Sequence, residues 1–183
     1  EYGGAFGFPV WINRCGVLAG AGQFGKADQG IFSFWIHSWK AGRPLGYLGF
    51  DGSGRQVRDC LHPRDLAVVL AAQFRAGAAN STNDRIANFS GGAASSMSLR
   101  ELSEWCAKRF PETRSLRGEL LARPADISPE SVASRPYDIA WMVLDSSKAH
   151  EIWNWAPVIP LEQVLEEIAR HAEEDPDWMD RVS

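Results

Sequence analysis

The sequence has little cysteine, no excess of positive charge and no long apolar run. Its three cysteines, Cys15, Cys60 and Cys106, stand far apart without CxxC spacing. That spacing supports neither a zinc site nor a disulfide framework, and a reducing, cytoplasmic setting is expected. His62 and His150 lack a companion at metal spacing and are assigned to structure or surface, so no metal is expected. The formal net charge is −4, which excludes a nucleic-acid binder working by bulk electrostatics; any anion bound here must be met by a local site. No apolar stretch approaches the roughly 18 residues of a membrane helix, and the opening residues show no charged-then-apolar leader, so no membrane partner is expected. Also missing is a GxGxxG turn after an opening strand, so these residues do not supply a dinucleotide pyrophosphate loop.

What is there is a chain of 183 residues, 45% hydrophobic and 23% charged, the balance of one folded unit rather than of a disordered chain. "EYGGAFGFPVWINR" runs almost at once into a strand-like stretch, as a cut through a fold would. A buried strand is expected near Pro9 to Arg14. In "DQGIFSFWIHSWKAG", Ile31, Phe32, Trp35, Ile36 and Trp39 recur at spacings of three and four before Gly42, which predicts an amphipathic helix capped by Asp28. "PLGYLGF" and "RQVRDCLH" read as strands, and "HPRDLAVVLAAQFRAG" as a helix opened by proline and closed by glycine. "IANFSGG" reads as another strand. Ser98 and Glu101 have the spacing of a capping box before a helix with Leu99, Leu102 and Cys106 on one face. After Pro111 the composition turns to proline, serine and charge, a long surface excursion with room for one short strand. A short helix started by Asp145 follows, then a helix from Pro160 with Leu161, Val164, Leu165 and Ile168 inward. Strand and helix alternate, which predicts an α/β domain with at least part of its sheet parallel.

"GSGRQVRDCLH" sets Arg55 and Arg58 among glycines. A guanidinium fork fits a phosphate bidentately and stays charged, and glycine lets a ligand approach the main chain. Arg58 is therefore a candidate phosphate clamp. The competing reading makes Arg55 and Arg58 surface residues of a hairpin, one of them paired to Asp51 or Asp59. Arg135, held before a proline in "SRPYD", is either a second clamp or a plain loop arginine; two arginines from different segments could pinch a diphosphate. In "GYLGF" an aromatic beside glycine could stack on a nucleobase, although such aromatics are more often core. Trp35, Trp39, Trp105, Trp153 and Trp155 are assigned mainly to packing. Asn13, Arg14 and Cys15 end a strand where α/β folds place ligands and would point toward the cleft, with Cys15 alternatively a small buried hydrophobe.

The succession "NRCGVLAGAGQFGKADQGIFSFWI", "LGYLGFDGSGRQVRDCLHPRDL", "NFSGGAASSMSLRELSEWC" and "SRPYDIAWMVLDSSKAHEIWNWAP" resembles the carboxyl-terminal half of extended short-chain dehydrogenases, the NAD-dependent epimerases and dehydratases of nucleotide sugars. Within them it is most similar to the CDP-paratose 2-epimerase (CDP-tyvelose epimerase) group. The resemblance implies that residues 1–183 are a single carboxyl-terminal substrate-binding domain, a short mixed sheet with packed helices and the last part of the Rossmann sheet. The amino-terminal Rossmann half, which binds NAD and carries the tyrosine and lysine of YxxxK, would lie elsewhere. It implies further that Asn13, Arg14 and Cys15 lie beside the cofactor and that Gln23, Lys26, Asp28 and Gln29 enter the sugar-nucleotide pocket. Tyr47, Leu48 and Gly49 would line the base, and Arg58 and Arg135 would contact the diphosphate. The implied partners are a nucleotide-diphosphate sugar, the chain's own Rossmann half and a second copy in a homodimer. The implied reaction is epimerisation of a CDP-sugar at C2 through a transient ketone, with no catalytic residue in this chain and no turnover by it alone. A 4-epimerase or dehydratase of UDP- or dTDP-sugars, and a noncatalytic nucleotide-sugar-binding module, are the alternatives. The family's HVDDL is here "HPRDL", where Asp65 can still cap the following helix. Apolar surface exposed by a missing half could drive association, with the tryptophan helix from Asp28 as one contact.

Overall fold

The computed structural model describes residues 2–26, 29–47, 49–77, 85–113 and 139–182. The opening apolar run makes two strands in two different sheets. After a short helix α1 (Tyr2–Phe6), β1 (Ile12–Cys15) pairs in parallel with β4 (Ile86–Phe89). Two residues on, β2 (Val17–Leu18) pairs in parallel with β3 (Val57–Leu61). Gly16 is the swivel between them. Its N–H still donates to Phe89 O at 2.8 Å, on the first sheet, while a Cβ on it would meet the Asp59 carboxylate at 2.5 Å. The strand expected over Pro9 to Arg14 therefore begins later, at Ile12; Pro9 has no N–H for a ladder.

Strand β3 is the middle of a mixed sheet. It runs antiparallel to β5 (Ser96–Ser98) and parallel to β6 (Trp141–Met142), with Arg58 opposite both Met97 and Met142 and Val57 opposite Ser98 and Trp141. Side chains alternate across a strand, so Val57, Ser98 and Trp141 share one face and Arg58, Met97 and Met142 the other. Parallel and antiparallel pairs thus coexist in an α/β fold of short sheets and packed helices, as the alternation of elements predicts.

Helix α2 (Ile31–Lys40) follows Gly30, whose φ of 66° only glycine adopts at little cost. The expected cap at Asp28 is thus replaced by Gly30, and Asp28 itself lies outside the described residues. At the far end Gly42, at φ 68°, donates to Trp39 O and Arg43 to Ser38 O, the stop that the sequence signals. Helix α3 (Pro63–Ala76) begins at proline and ends before Gly77 as expected, but its cap is His62, whose Nδ1 accepts from Arg64 N–H at 3.1 Å. Asp65 does not cap. Its buried carboxylate accepts from Val158 and Ile159 N–H at 3.2 and 3.1 Å, tying α3 to a segment more than ninety residues on. Helix α4 (Leu99–Arg109) has the capping box of Ser98 and Glu101. Asp145 accepts from Ser147 N–H at 2.8 Å at the start of α5 (Ser147–Trp153), and α6 (Leu161–Glu174) follows Pro160.

Two cores result. Phe32, Trp35 and Ile36 of α2, Leu102 and Cys106 of α4, and Val164, Leu165 and Ile168 of α6 close over Cys60 of the mixed sheet. Leu61, Val69, Phe89 and Trp155 form the second core around the β1–β4 pair, α3 and the end of α5. Trp35 and Trp39 are each 2% exposed, so α2 does not offer its tryptophans as an association surface. The described residues of "PLGYLGF" form no strand. Gly49 at φ 70° and Phe50 at φ 46° turn the chain into a 3-10 turn at Phe50–Gly52, because Tyr47 is drawn into the first core instead of a ladder. The short strand expected in the excursion after Pro111 falls in residues outside those described.

Candidate functional site

Arg58 stands at the centre of the mixed sheet. Its Nη1 donates to its neighbour's carbonyl, Val57 O, at 2.8 Å and to Ile139 O at 2.7 Å, so the guanidinium reaches the residues just before β6. Arg135 lies outside the described residues. Asp59 is 1% exposed and turns to the opposite face, where its carboxylate accepts from Ser90 Oγ and from Leu144 N–H. This carboxylate joins the two sheets. The glycine turn after β4 meets it through Ser90, whose Oγ also accepts from Gly92 N–H at 2.8 Å.

Between β2 and α2 the chain forms a loop rich in glycine. Gln23 Nε2 donates to Leu18 O at 2.7 Å, while Gln23 O accepts from Ser33 Oγ at 2.7 Å and from Trp178 Nε1 at 3.3 Å. Gln23 Oε1 is buried with no hydrogen-bond partner among the described residues, an acceptor left over in a polar loop. Lys26 and Gln29 exchange two backbone hydrogen bonds, at 2.7 and 3.2 Å, and both side chains are exposed at the loop tip. The loop gathers three of the expected pocket residues, Gln23, Lys26 and Gln29, on one short segment.

Tyr47 belongs to the first core at its edge. Its hydroxyl donates to Ser103 Oγ at 2.8 Å, an atom that also accepts from Trp35 Nε1 at 3.0 Å and donates to Leu99 O at 2.8 Å. The ring stacks on Trp35 at 5.5 Å and lies so close over Gly54 that a Cβ there would touch it at 2.8 Å. Burial pushes its phenol above the ordinary range, against the Ser103 hydrogen bond. Gly49 is buried beside the 3-10 turn, and Leu48 lies outside the described residues.

At the end of β1 the three expected residues diverge. The Asn13 and Gln73 side chains exchange two hydrogen bonds at 2.9 and 2.7 Å, which commits the Asn13 amide to α3. Arg14 is exposed, and Cys15 is half-buried, with its thiol pushed up by burial. The Asn13 amide is thus matched to Gln73, and the Asp59 carboxylate fills the space beside Gly16. Among the described residues no cluster of three His, Cys, Asp or Glu could hold a metal, and no described helix is long and apolar enough to cross a membrane.

A cavity of about 380 Å³ opens on the Val57, Ser98 and Trp141 face of the mixed sheet. Arg55 and Arg100 stand at its rim, and Glu101 in its wall is held below the usual carboxylate range by the Ser98 N–H and hydroxyl. Arg100 also fastens the glycine turn, donating twice to Ser53 O at 3.1 and 2.8 Å. Its role escapes the sequence, where it is one of many helix-face arginines; only proximity to a turn 47 residues earlier reveals it.

This architecture is shared with enzymes of known structure. The family model for the NAD dependent epimerase/dehydratase family matches residues 1–87. A Streptomyces venezuelae dTDP-glucose 4,6-dehydratase superposes with a TM-score of 0.71 over 100% of this chain and 49% of its own, at 20% identity. The Bacillus anthracis dTDP-glucose 4,6-dehydratase, solved with NAD, gives 0.68 over 100% and 50%, at 16% identity. The Thermotoga maritima UDP-glucose 4-epimerase, solved with UDP-glucose, gives 0.67 over 94% and 48%, at 17% identity. No curated protein matches the sequence. The fold is shared with these dehydratases and this epimerase, and the chain spans about half the length of the structures it matches.

Proposed function

We propose that this chain is the carboxyl-terminal, nucleotide-sugar-binding domain of an NAD-dependent sugar-nucleotide epimerase or dehydratase. The observation that carries the reading is Arg58. It is a permanent cation in the central strand of a fold shared with such enzymes, and its guanidinium donates to Ile139 O. A fork of that kind binds a diphosphate oxygen pair, and Arg135 would close on the diphosphate from the other side. Support for the loop comes from Gln23, whose unmatched buried oxygen suits a sugar hydroxyl, and from Lys26 and Gln29 at its tip. Tyr47 and Gly49, with Leu48 between them and Asp28 in the preceding loop, complete the pocket in this reading.

NAD, bound elsewhere in the longer protein, would supply hydride removal and return. Asn13, Arg14 and Cys15 at the end of β1 would border it in this reading, with the Asn13 amide held by Gln73. The present residues contribute binding distant from the reacting carbon, fixing base and diphosphate while the sugar is free to turn. In the longer protein the Rossmann half would cover β1 and α3, and a homodimer is the expected assembly. The finer reading is a CDP-sugar 2-epimerase; the neighbours that act on UDP- and dTDP-sugars fit a 4-epimerase or 4,6-dehydratase equally well.

Calorimetric titration of the chain with CDP, UDP and NAD separately, in low salt, tests this. Selective CDP binding favours the 2-epimerase and selective UDP binding the 4-epimerase. In either case Arg58→Ala should weaken binding by about 1.5 to 3 kcal/mol, the worth of a charged hydrogen bond. Undiminished affinity in Arg58→Ala, with an unchanged far-ultraviolet spectrum, would overturn the clamp assignment.

A further inference from the structure

The loop between β2 and α2 is held from the far end of the chain. After α6 the backbone turns at Asp175 and finishes in a 3-10 turn at Trp178–Val182. The Trp178 indole stacks on Phe24 with centroids 4.3 Å apart and planes within 2° of parallel, and its Nε1 donates to Gln23 O at 3.3 Å. His171 of α6 meets the same indole edge-on at 4.9 Å, and His171 Nδ1 lies 3.3 Å from His37 Nε2 of α2. Asp180 takes the Arg43 guanidinium through both oxygens at 2.7 Å, and Arg181 pairs with Asp175 at 2.9 Å. The turn is thereby fixed to the end of α2 and to α6, and through Trp178 it grips residues 23 and 24.

Among the described residues the loop has little else to hold its tip. Gln23 N–H reaches Gly20 O only at 3.4 Å, and the Lys26–Gln29 pairing is internal to the tip. Gly22 and Gly30 sit at positive φ, and Gly25, packed close on the backbone of Phe34, offers no side chain. Phe24 is 44% exposed even with the indole upon it. Without Trp178 one face of Phe24 and one hydrogen bond to Gln23 O would go to water, while the Gln23 and Ser33 side-chain bonds would persist.

We propose that Trp178 is a positioning residue: the turn at Trp178–Val182 clamps Gln23 and Phe24 and so sets where Lys26 and Gln29 stand. The importance of that placement for a nucleotide sugar rests on the function proposed above; the clamp does not.

Hydrogen exchange followed by mass spectrometry on the 183-residue chain, with no nucleotide present, tests the clamp. Trp178→Ala should accelerate exchange in peptides covering residues 20–30 by about tenfold or more while leaving α3 and β4 as they were. Trp178→Phe, which keeps the stack and loses the Nε1 bond, should restore most of the protection, and Phe24→Ala should reproduce the loosening from the loop side. Unchanged exchange at residues 20–30 in Trp178→Ala would overturn the clamp. So would an equal rise in α3 and β4, which would make Trp178 an ordinary contributor to global stability. A failed clamp leaves the Arg58 titration unaffected, and a failed titration leaves the clamp standing, so the two results separate.

Discussion

Gly16 decides which sheet each neighbouring residue joins. A methyl group there would press on the Asp59 carboxylate, which is itself held by Ser90 and Leu144. Gly16→Ala should therefore cost about 1 to 3 kcal/mol through overpacking and a disturbed buried carboxylate, read as a lower urea midpoint with unchanged slope. His37 is a second such residue. Burial, then the neighbouring His171, lowers its pKa from 6.5 to about 4, with Asp175 opposing. Between those values the unfolded chain binds a proton that the folded chain refuses, so stability rises with pH there. The contribution is fully present above about pH 6.5 and is lost as pH falls toward 4, up to about 3 kcal/mol. Thermal melts across pH 7.5 to 4.5 should show that loss, and His37→Phe should flatten the dependence; a wild-type melting temperature level across the range would refute it. Proximity to Asp59 is invisible in sequence at Gly16, because Asp59 arrives from a strand far along the chain.

Among the elements, the longer helices were legible, whereas α1, β5 and β6 went unread and "PLGYLGF" was misread. Helix ends are written locally, in caps and glycine stops that act within four residues, which is why the Ser98–Glu101 box, the Gly42 stop and the Pro63 start all agree with the structure. Ser98→Ala should remove the acceptor for Glu101 N–H and cost about 1 kcal/mol, measurable by chemical denaturation. "PLGYLGF" failed because its apolar pattern satisfies a strand and a buried loop alike; Ser103, 56 residues on, captures Tyr47 and settles the matter. Asp65 likewise looked like a cap and serves instead as an anchor for Val158 and Ile159. The candidate site divides the same way. An arginine among glycines draws notice in any sequence, whereas the approach of Arg58 to Ile139, and of Trp178 to Gln23, depends on segments 81 and 155 residues apart.

For the molecule as a whole, apolar surface lies on α3 and not on α2. Ala67, Leu70, Ala71 and Phe74 are exposed at spacings of three and four, with Phe74 at 89% and the neighbouring Val68 at 65%. A stripe of this kind on a lone chain favours self-association. Sedimentation of the 183-residue chain should show concentration-dependent association that the double variant Leu70→Gln, Phe74→Ser reduces; unaltered association in that variant would exclude α3 as the contact.

Read alone, the sequence settles the alternation of strands and helices, several helix ends and the presence of a fixed cation in a glycine-rich setting, because periodicity, capping and charge are properties of neighbours along the chain. Tertiary structure alone decided that the opening run divides between two sheets at Gly16, that Tyr47 leaves its ladder for the core, and that a tryptophan near the end holds the loop after β2. Each of these depends on which distant group arrives alongside, and burial makes that arrival energetically decisive.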